Sequence, residues 1–120
     1  MMVILYYPKC STCKKALKYL DDLHLEYEKR EIIIDHPTKE ELMKWQSLND
    51  KPLKSFFNVN GKKYRELMLK TKLPFMDDDE IYNLLASDGM LVKRPLLILD
   101  DKILIGFKVK EWDQVFKNED

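Results

Sequence analysis

The chain has 120 residues, of which 45% are apolar and 35% charged, a composition typical of one ordinary globular domain. Its 21 basic and 21 acidic residues give a net charge of zero, which argues against a general nucleic-acid or membrane-surface binder. No apolar run approaches the roughly 20 residues of a membrane-spanning helix, and the apolar start of the chain lacks the basic residues and the length of a signal peptide. We therefore expect a cytoplasmic protein that binds neither membrane nor nucleic acid directly.

A β-α-β pattern opens the chain. Residues 3–7 form a β-rich run that stops at Pro8, which predicts a buried strand. Apolar residues then recur on one helical face, which predicts a helix over about 11–24. A second strand is expected over 27–34, where three isoleucines follow one another. The usual right-handed crossover would make these two strands parallel.

Helical patterns fill the middle of the chain. Thr38 and Glu41 have the spacing of a capping box, which predicts a helix start. A short helical segment over 53–57 and a longer helix over 64–72 are expected next. The acidic run at 77–80 predicts another helix start, because acidic side chains are favoured at the positive end of a helix.

The last third of the chain predicts a β-hairpin over 96–99 and 103–105, then a helix that contains Trp112 and ends in a polar tail. The large aromatic residues are expected to pack in the core: Trp45, Phe56, Phe57, Phe75, Trp112 and Phe116.

The predicted fold class is therefore α/β, with a βαβ part and a ββα part that share one small mixed sheet. We expect a single domain over 1–120. Its core would comprise about 1–34 and 89–118, and the helical block at about 35–87 would be an insertion.

The motif Cys10-Ser-Thr-Cys13 lies where the first predicted strand leads into a helix. Unpaired backbone N–H groups and the helix dipole favour an anion there, and Lys9, Lys14 and Lys15 add positive charge. The thiolate is the reactive form of cysteine, so Cys10 is the predicted nucleophile. Cys13, on the inward face of the helix, is either a resolving thiol or simply a core residue.

The same turn is a candidate anion site, with Ser11, Thr12 and Lys14 beside its backbone amides. Zinc is not predicted, because His24 and His36 lack the spacing of two further ligands. A Cys-x-x-Cys motif beside a βαβ pattern instead favours thiol redox chemistry.

A second candidate site is Arg94-Pro95, directly before a predicted strand. A cis-proline turn there would direct Arg94 towards the Cys10 loop as an anion holder, whereas the alternative is an ordinary surface arginine. Arg65 could line the same pocket, although a surface position is favoured.

Together these motifs resemble the arsenate reductase (ArsC)-related family, which also contains the Spx- and MgsR-type regulators. The resemblance covers nearly the whole chain and rests on four segments, YYPKCSTCKKA at 6–16, NGKKYREL at 60–67, LASDGM at 85–90 and KRPL at 93–96.

The resemblance implies a thioredoxin-like (glutaredoxin-like) fold with a helical insertion and a cis proline at Pro95. It also implies that Cys10 matches the cysteine that attacks arsenate in the family's reductases, where a glutathione–glutaredoxin system completes the cycle. Those enzymes use three arginines around the oxyanion. Only Arg94 matches here, and the other two positions fall near Asn58 and Gly106.

The Cys10–Cys13 pair is similar to the redox switch of the Spx-type regulators, which bind the C-terminal domain of the RNA polymerase α subunit. Lys51-Pro52 stands near the place of their characteristic glycine. We expect a thiol oxidoreductase that uses Cys10, Cys13 and Arg94, without a bound cofactor or metal. Glutathione is a candidate co-substrate, and glutaredoxin or thioredoxin is the expected reductant. The alternative is a redox-sensing regulator that binds the polymerase α subunit.

Overall fold

The computed structural model describes residues 2–117, so the predicted polar tail and both ends of the predicted 1–120 domain lie outside the described residues. The strands are β1 Met2–Tyr6, β2 Tyr27–Glu31, β3 Leu96–Ile98 and β4 Ile103–Ile105. The α-helices are α1 Ser11–Asp22, α2 Lys39–Gln46, α3 Lys62–Glu66, α4 Leu69–Lys72, α5 Asp78–Ser87 and α6 Val109–Phe116. Short 3₁₀ helices span Leu53–Phe56, Leu73–Phe75 and Gly89–Leu91. Within 2–117, no helix combines the length and the apolar composition that a membrane crossing needs.

The strands form one mixed sheet in the order β2-β1-β3-β4. β1 and β2 are parallel, with Met2 opposite Tyr27, as the βαβ pattern predicts. β3 is antiparallel to both β1 and β4. This arrangement confirms the predicted α/β class and the βαβ and ββα order.

Successive residues of β1 point to opposite faces of the sheet, because side chains alternate along a strand. Ile4 packs with α1 and α6 in one core, where Ala16, Leu20 and Trp112 are fully buried. Leu5 packs on the other face against the helical block between β2 and β3. The sheet thus separates two cores, and each core holds one layer of helices.

The helical block forms as its caps predict. Thr38 and Glu41 bond reciprocally at the start of α2, and Asp77 and Glu80 do the same at the start of α5. Each pair satisfies two N–H groups that the first helical turn leaves unpaired. The division into a core and an insertion at 35 and 87 stays a prediction.

The predicted second strand is too long, because β2 ends at Glu31 rather than at residue 34. The N–H of Ile32 makes the last bond to β1, to the oxygen of Tyr6, and Pro8 follows soon afterwards. Beyond that point β2 has no neighbour to pair with, and the chain turns, with Ile34 78% exposed.

The single helix predicted over 64–72 is also wrong. Met68 has a φ of 55°, which separates α3 from α4 and leaves both helices short. The prediction that Phe75 packs in the core is wrong as well, because Phe75 is 87% exposed. A one-dimensional apolar pattern gave no signal for the left-handed residue that redirects this segment.

Candidate active site

Cys10 occupies the N-cap position of α1, directly after the turn that follows β1. Its backbone is extended, with φ −92° and ψ 117°, and its N–H donates to the Tyr7 oxygen at 3.0 Å. The Cys10 Sγ accepts a hydrogen bond from the N–H of Cys13 at 3.3 Å. A sulfur in this position takes the place of the oxygen of an ordinary N-cap residue, and it faces the positive end of a helix of 12 residues.

Cys13 lies one turn below Cys10 and is fully buried, whereas Cys10 is half-buried. Both cysteines are free thiols. Burial raises the pKa of Cys13 to about 12, and a hydrogen bond and the nearby charge at Cys10 also raise it. A hydrogen bond with the Tyr7 backbone and the charge of Arg94 oppose this rise in pKa. Of the two thiols, Cys10 is the more exposed, as expected for the nucleophile, and Cys13 is the one whose pKa is raised by burial.

Arg94 is half-buried beside the cysteines. The Arg94–Pro95 peptide bond is cis, as the resemblance implies. The guanidinium carbon lies 5.0 Å from the centroid of the Tyr7 ring, a cation–π distance, and Nη1 lies 3.5 Å from the Val92 oxygen. Arg94 lines the same cleft as Cys10, and its positive charge acts to lower the pKa of Cys13, so it belongs to the cysteine site.

A cleft of about 360 Å³ opens at Cys10. Its walls come from the α1 turn, the segment before α3, the segment before β3 and the segment before α6. The lining residues are Cys10, Thr12, Asn58, Asn60, Lys93, Arg94, Gly106, Phe107 and Lys108. The charged side chains of this lining, Lys93, Arg94 and Lys108, are all cationic, so the cleft suits an anionic ligand.

The structure brings some of the predicted anion-binding residues to the cleft and leaves others outside it. Thr12 lines the cleft, whereas Ser11 and Lys14 are exposed on α1 and do not line it. Pro95 is buried below it, and its oxygen accepts from the Gly106 N–H at 2.8 Å. Arg65 is exposed and also lies outside the lining, where Nη1 donates to the Asn60 oxygen at 2.8 Å.

Asn58 and Gly106, the two positions where the family resemblance places further arginines, both line the cleft. Gly106 has a φ of 77°, a conformation that favours glycine. A Cβ at Gly106 would lie 3.0 Å from Cε of Lys93. The chain therefore has two lysines in its cleft, Lys93 and Lys108, but only one arginine.

Sequence reasoning missed Lys93, Lys108, Asn60 and Phe107 as lining residues. For Lys93, adjacency to Arg94 in the KRPL segment was an available signal. The chain contains many lysines, so nothing local distinguished Lys108. Among residues 2–117, no cluster of three or more His, Cys, Asp or Glu side chains could hold a metal ion.

The sheet order, the helix that Cys10 caps and the cis proline before β3 define a protein of the thioredoxin-like α/β class. The sequence model of the ArsC family matches residues 5–115, and the chain belongs to that family.

Relatives match over most of their length. The chain is 47% identical to the uncharacterized protein YusI of Bacillus subtilis (strain 168), over 91% of this chain and 92% of that protein. It is 28% identical to the regulatory protein MgsR of the same strain, over 88% of this chain and 82% of MgsR. The crystal structure of an ArsC family related protein from Bacteroides fragilis superposes with a TM-score of 0.92 and 47% identity, covering 95% of this chain and 96% of that one.

Proposed function

We propose that this protein is a cytoplasmic thiol oxidoreductase in which Cys10 is the nucleophile and Cys13 the resolving thiol. The observation that carries the proposal is the pairing of a cleft-facing N-cap sulfur with a buried thiol one helical turn below it. Arg94 stabilises the negative charge that develops on the two sulfurs during exchange.

The chemistry is a two-step thiol–disulfide exchange. The Cys10 thiolate attacks a sulfur of a disulfide substrate R–S–S–R, the substrate S–S bond breaks, and R–S⁻ leaves and takes a proton from solvent. The Cys13 thiol then loses its proton and attacks Cys10, which releases the second R–S⁻ and forms the Cys10–Cys13 disulfide. Two electrons pass from the protein to the substrate. A dithiol reductant of the thioredoxin or glutaredoxin class, or glutathione, returns them.

The spacing of the pair suits this second step. Residues three apart at the start of a helix lie on adjacent turns, and the Cys13 N–H already touches the Cys10 sulfur. A disulfide needs Cα atoms no more than about 7 Å apart, which the first turn of a helix meets.

A second candidate function is redox-sensing regulation through the RNA polymerase α subunit. It is favoured by the match to the regulatory protein MgsR over 88% of this chain. The same Cys10–Cys13 disulfide would then change the binding of a partner and would not pass electrons onward. An enzyme turns over, whereas a switch is only titrated by its oxidant.

The deciding experiment supplies a small disulfide and a thioredoxin or glutathione–glutaredoxin reducing system, and it follows NADPH consumption over many equivalents. We expect sustained turnover that Cys10→Ser abolishes. Cys13→Ser should stop as a mixed disulfide on Cys10, visible by intact-mass spectrometry.

Two outcomes would contradict the proposed oxidoreductase activity or its assigned cysteine roles. One is consumption of a single equivalent of oxidant followed by arrest in the presence of both reductants. The other is faster alkylation of Cys13 than of Cys10 by iodoacetamide, which would reverse the assigned roles.

A further inference from the structure

The basic surface beside Cys10 extends beyond the cleft itself. A second cleft of about 160 Å³ adjoins the first, and Lys93 and Lys108 line both. Lys51 and Lys54 also line this second cleft. The two shared lysines therefore stand between the reactive sulfur and a further basic recess.

The lysines at this boundary are available for a ligand. Among residues 2–117, neither Lys93 nor Lys108 makes an ion pair, whereas Lys51 is paired with Glu111 at 3.1 Å. The side chains that line the first cleft include no carboxylate. Because the chain as a whole has zero net charge, an attraction for anions at Cys10 is a local property of this surface.

The type of cation indicates the type of anion. A guanidinium offers a planar fork that matches a compact oxyanion, whereas a lysine ammonium is a point charge on a flexible stem. At Gly106 the chain has no side chain, and the Lys93 stem lies against that position. The cleft therefore offers two lysine ammonium groups and one guanidinium instead of a ring of three guanidinium groups.

We propose that the substrate of Cys10 is an organic disulfide that carries carboxylate groups, and that Lys93 and Lys108 are specificity-determining residues that bind those carboxylates. The proposal rests on the proposed thiol–disulfide exchange and names its substrate class. One sulfur of the substrate meets Cys10 in the first cleft, and the carboxylate lies between the two ammonium groups.

The bond changes are those of the exchange already described. The Cys10–S–S–R adduct retains one carboxylate beside the lysines, the first R–S⁻ departs, and attack by Cys13 releases the second. The lysines exchange no proton or electron; they hold the substrate where its S–S bond is in line with the Cys10 sulfur.

The test compares three alkyl disulfides of similar reactivity on the reduced full-length protein: dithiodipropionate, which is anionic, bis-hydroxyethyl disulfide, which is neutral, and cystamine, which is cationic. The readout is the rate of adduct formation by rapid quench and intact mass. We expect the anionic disulfide to react roughly tenfold faster than the neutral one at low salt, and the cationic one to react slowest. Raising the ionic strength to about 1 M should remove most of this difference.

The variants separate local recognition from a general effect of charge. Lys93→Gln and Lys108→Gln should each slow the anionic disulfide by about threefold more than they slow the neutral one. Lys93→Arg should keep the preference for the anion. Lys102→Gln removes one positive charge from the β3–β4 turn, outside both clefts, and is the matched control, expected to match the parent protein.

The outcomes distinguish failure of this inference from failure of the proposed function. Equal rates for the anionic and neutral disulfides, or equal losses in Lys93→Gln and Lys102→Gln, would overturn the inference while leaving the exchange chemistry intact. If none of the disulfides forms an adduct with Cys10, both proposals are wrong.

Discussion

The backbone of Gly89 packs directly against the carbonyl oxygen of Ile32, and a Cβ atom at position 89 would overlap that oxygen. Ile32 makes the last hydrogen bond of the β1–β2 pair, while Gly89 begins the 3₁₀ helix that follows α5. The contact therefore joins the end of the helical block to the edge of the sheet.

Gly89→Ala should destabilise the protein by about 1–3 kcal/mol. The new methyl group would push on the Ile32 carbonyl, which is backbone and cannot rotate away as a side chain can. The measurement is the midpoint of urea unfolding. Gly61→Ala is the matched control, since its Cβ would come closest to the side-chain Nδ2 of Asn58, which can rotate away, and would lie 3.1 Å from the Asn58 backbone oxygen. An unchanged midpoint for Gly89→Ala would contradict the packing described.

The rate at which the Cys10–Cys13 disulfide forms from the mixed disulfide should increase as the pH is raised. The attacking form is the Cys13 thiolate, and burial raises the pKa of that thiol to about 12. Below this value the thiolate fraction rises about tenfold per pH unit, so the closing rate should do the same between about pH 7 and about pH 9. Formation of the mixed disulfide removes the charge at Cys10, which lowers the pKa of Cys13, but burial, the largest cause, remains.

DTNB separates the two steps, because each releases one coloured thiol. The second phase of release reports closure, and Cys13→Ala should lack it. A second phase whose rate does not change with pH would show that Cys13 is not the attacking thiol.

Arsenate reduction should be weak or absent. A compact oxyanion needs several fixed donors, and the loss of one can cost about 100- to 1000-fold in rate. In the cleft, Asn58 and Gly106 occupy the positions where the family resemblance places arginines, so Arg94 is the one arginine among the lining residues. The assay couples arsenate to NADPH oxidation through glutathione, glutaredoxin and glutathione reductase. Robust turnover that is lost in both Arg94→Ala and Arg65→Ala would show that Arg65 moves into the cleft.

The Arg30–Glu41 pair should contribute to stability only above acidic pH. The two side chains are joined by two hydrogen bonds of 2.6 and 2.8 Å, and the hydrogen bond from Arg30 is the largest cause of the lowered pKa of Glu41. A carboxyl whose pKa is lower in the folded state stabilises the fold above its unfolded value and loses that contribution as the pH falls through the folded pKa.

Glu41→Gln should therefore be less stable than the parent at neutral pH, and the difference should shrink as the pH falls below the ordinary value of 4.5. Urea unfolding over a pH series measures this convergence. Glu40→Gln, an exposed change on the same helical turn, should show a smaller difference. A gap that stays constant down to about pH 2 would exclude the pair as its source.

The sequence predicted best those elements that depend on local chemistry. The caps at Thr38 and Asp77 and the helix start at Cys10 are set by residues three positions apart. The end of β2 depends instead on where its neighbour β1 stops, which the three consecutive isoleucines of the β2 region do not indicate. The break at Met68 is a left-handed residue that few side chains favour, so composition gave no warning of it.

The candidate site shows the same division. Cys10 and Arg94 could be identified because each lies in a short motif with its own chemistry. The lysine pair could not, because Lys93 precedes β3 and Lys108 precedes α6, and only the β3–β4 hairpin brings the two to one cleft. Long-range proximity of this kind leaves no periodic pattern in a single sequence.

The two cores on opposite faces of the sheet give the protein a built-in pair of optical reporters. Each core contains one of the chain's two tryptophans, Trp45 on α2 and Trp112 on α6. The Trp112 ring packs edge-on against Phe107, 4.7 Å between centroids, and Phe107 lines the Cys10 cleft. In a Trp45→Phe variant, the remaining emission would therefore come from a fluorophore one ring away from the reacting sulfur, while a Trp112→Phe variant would report the opposite layer alone.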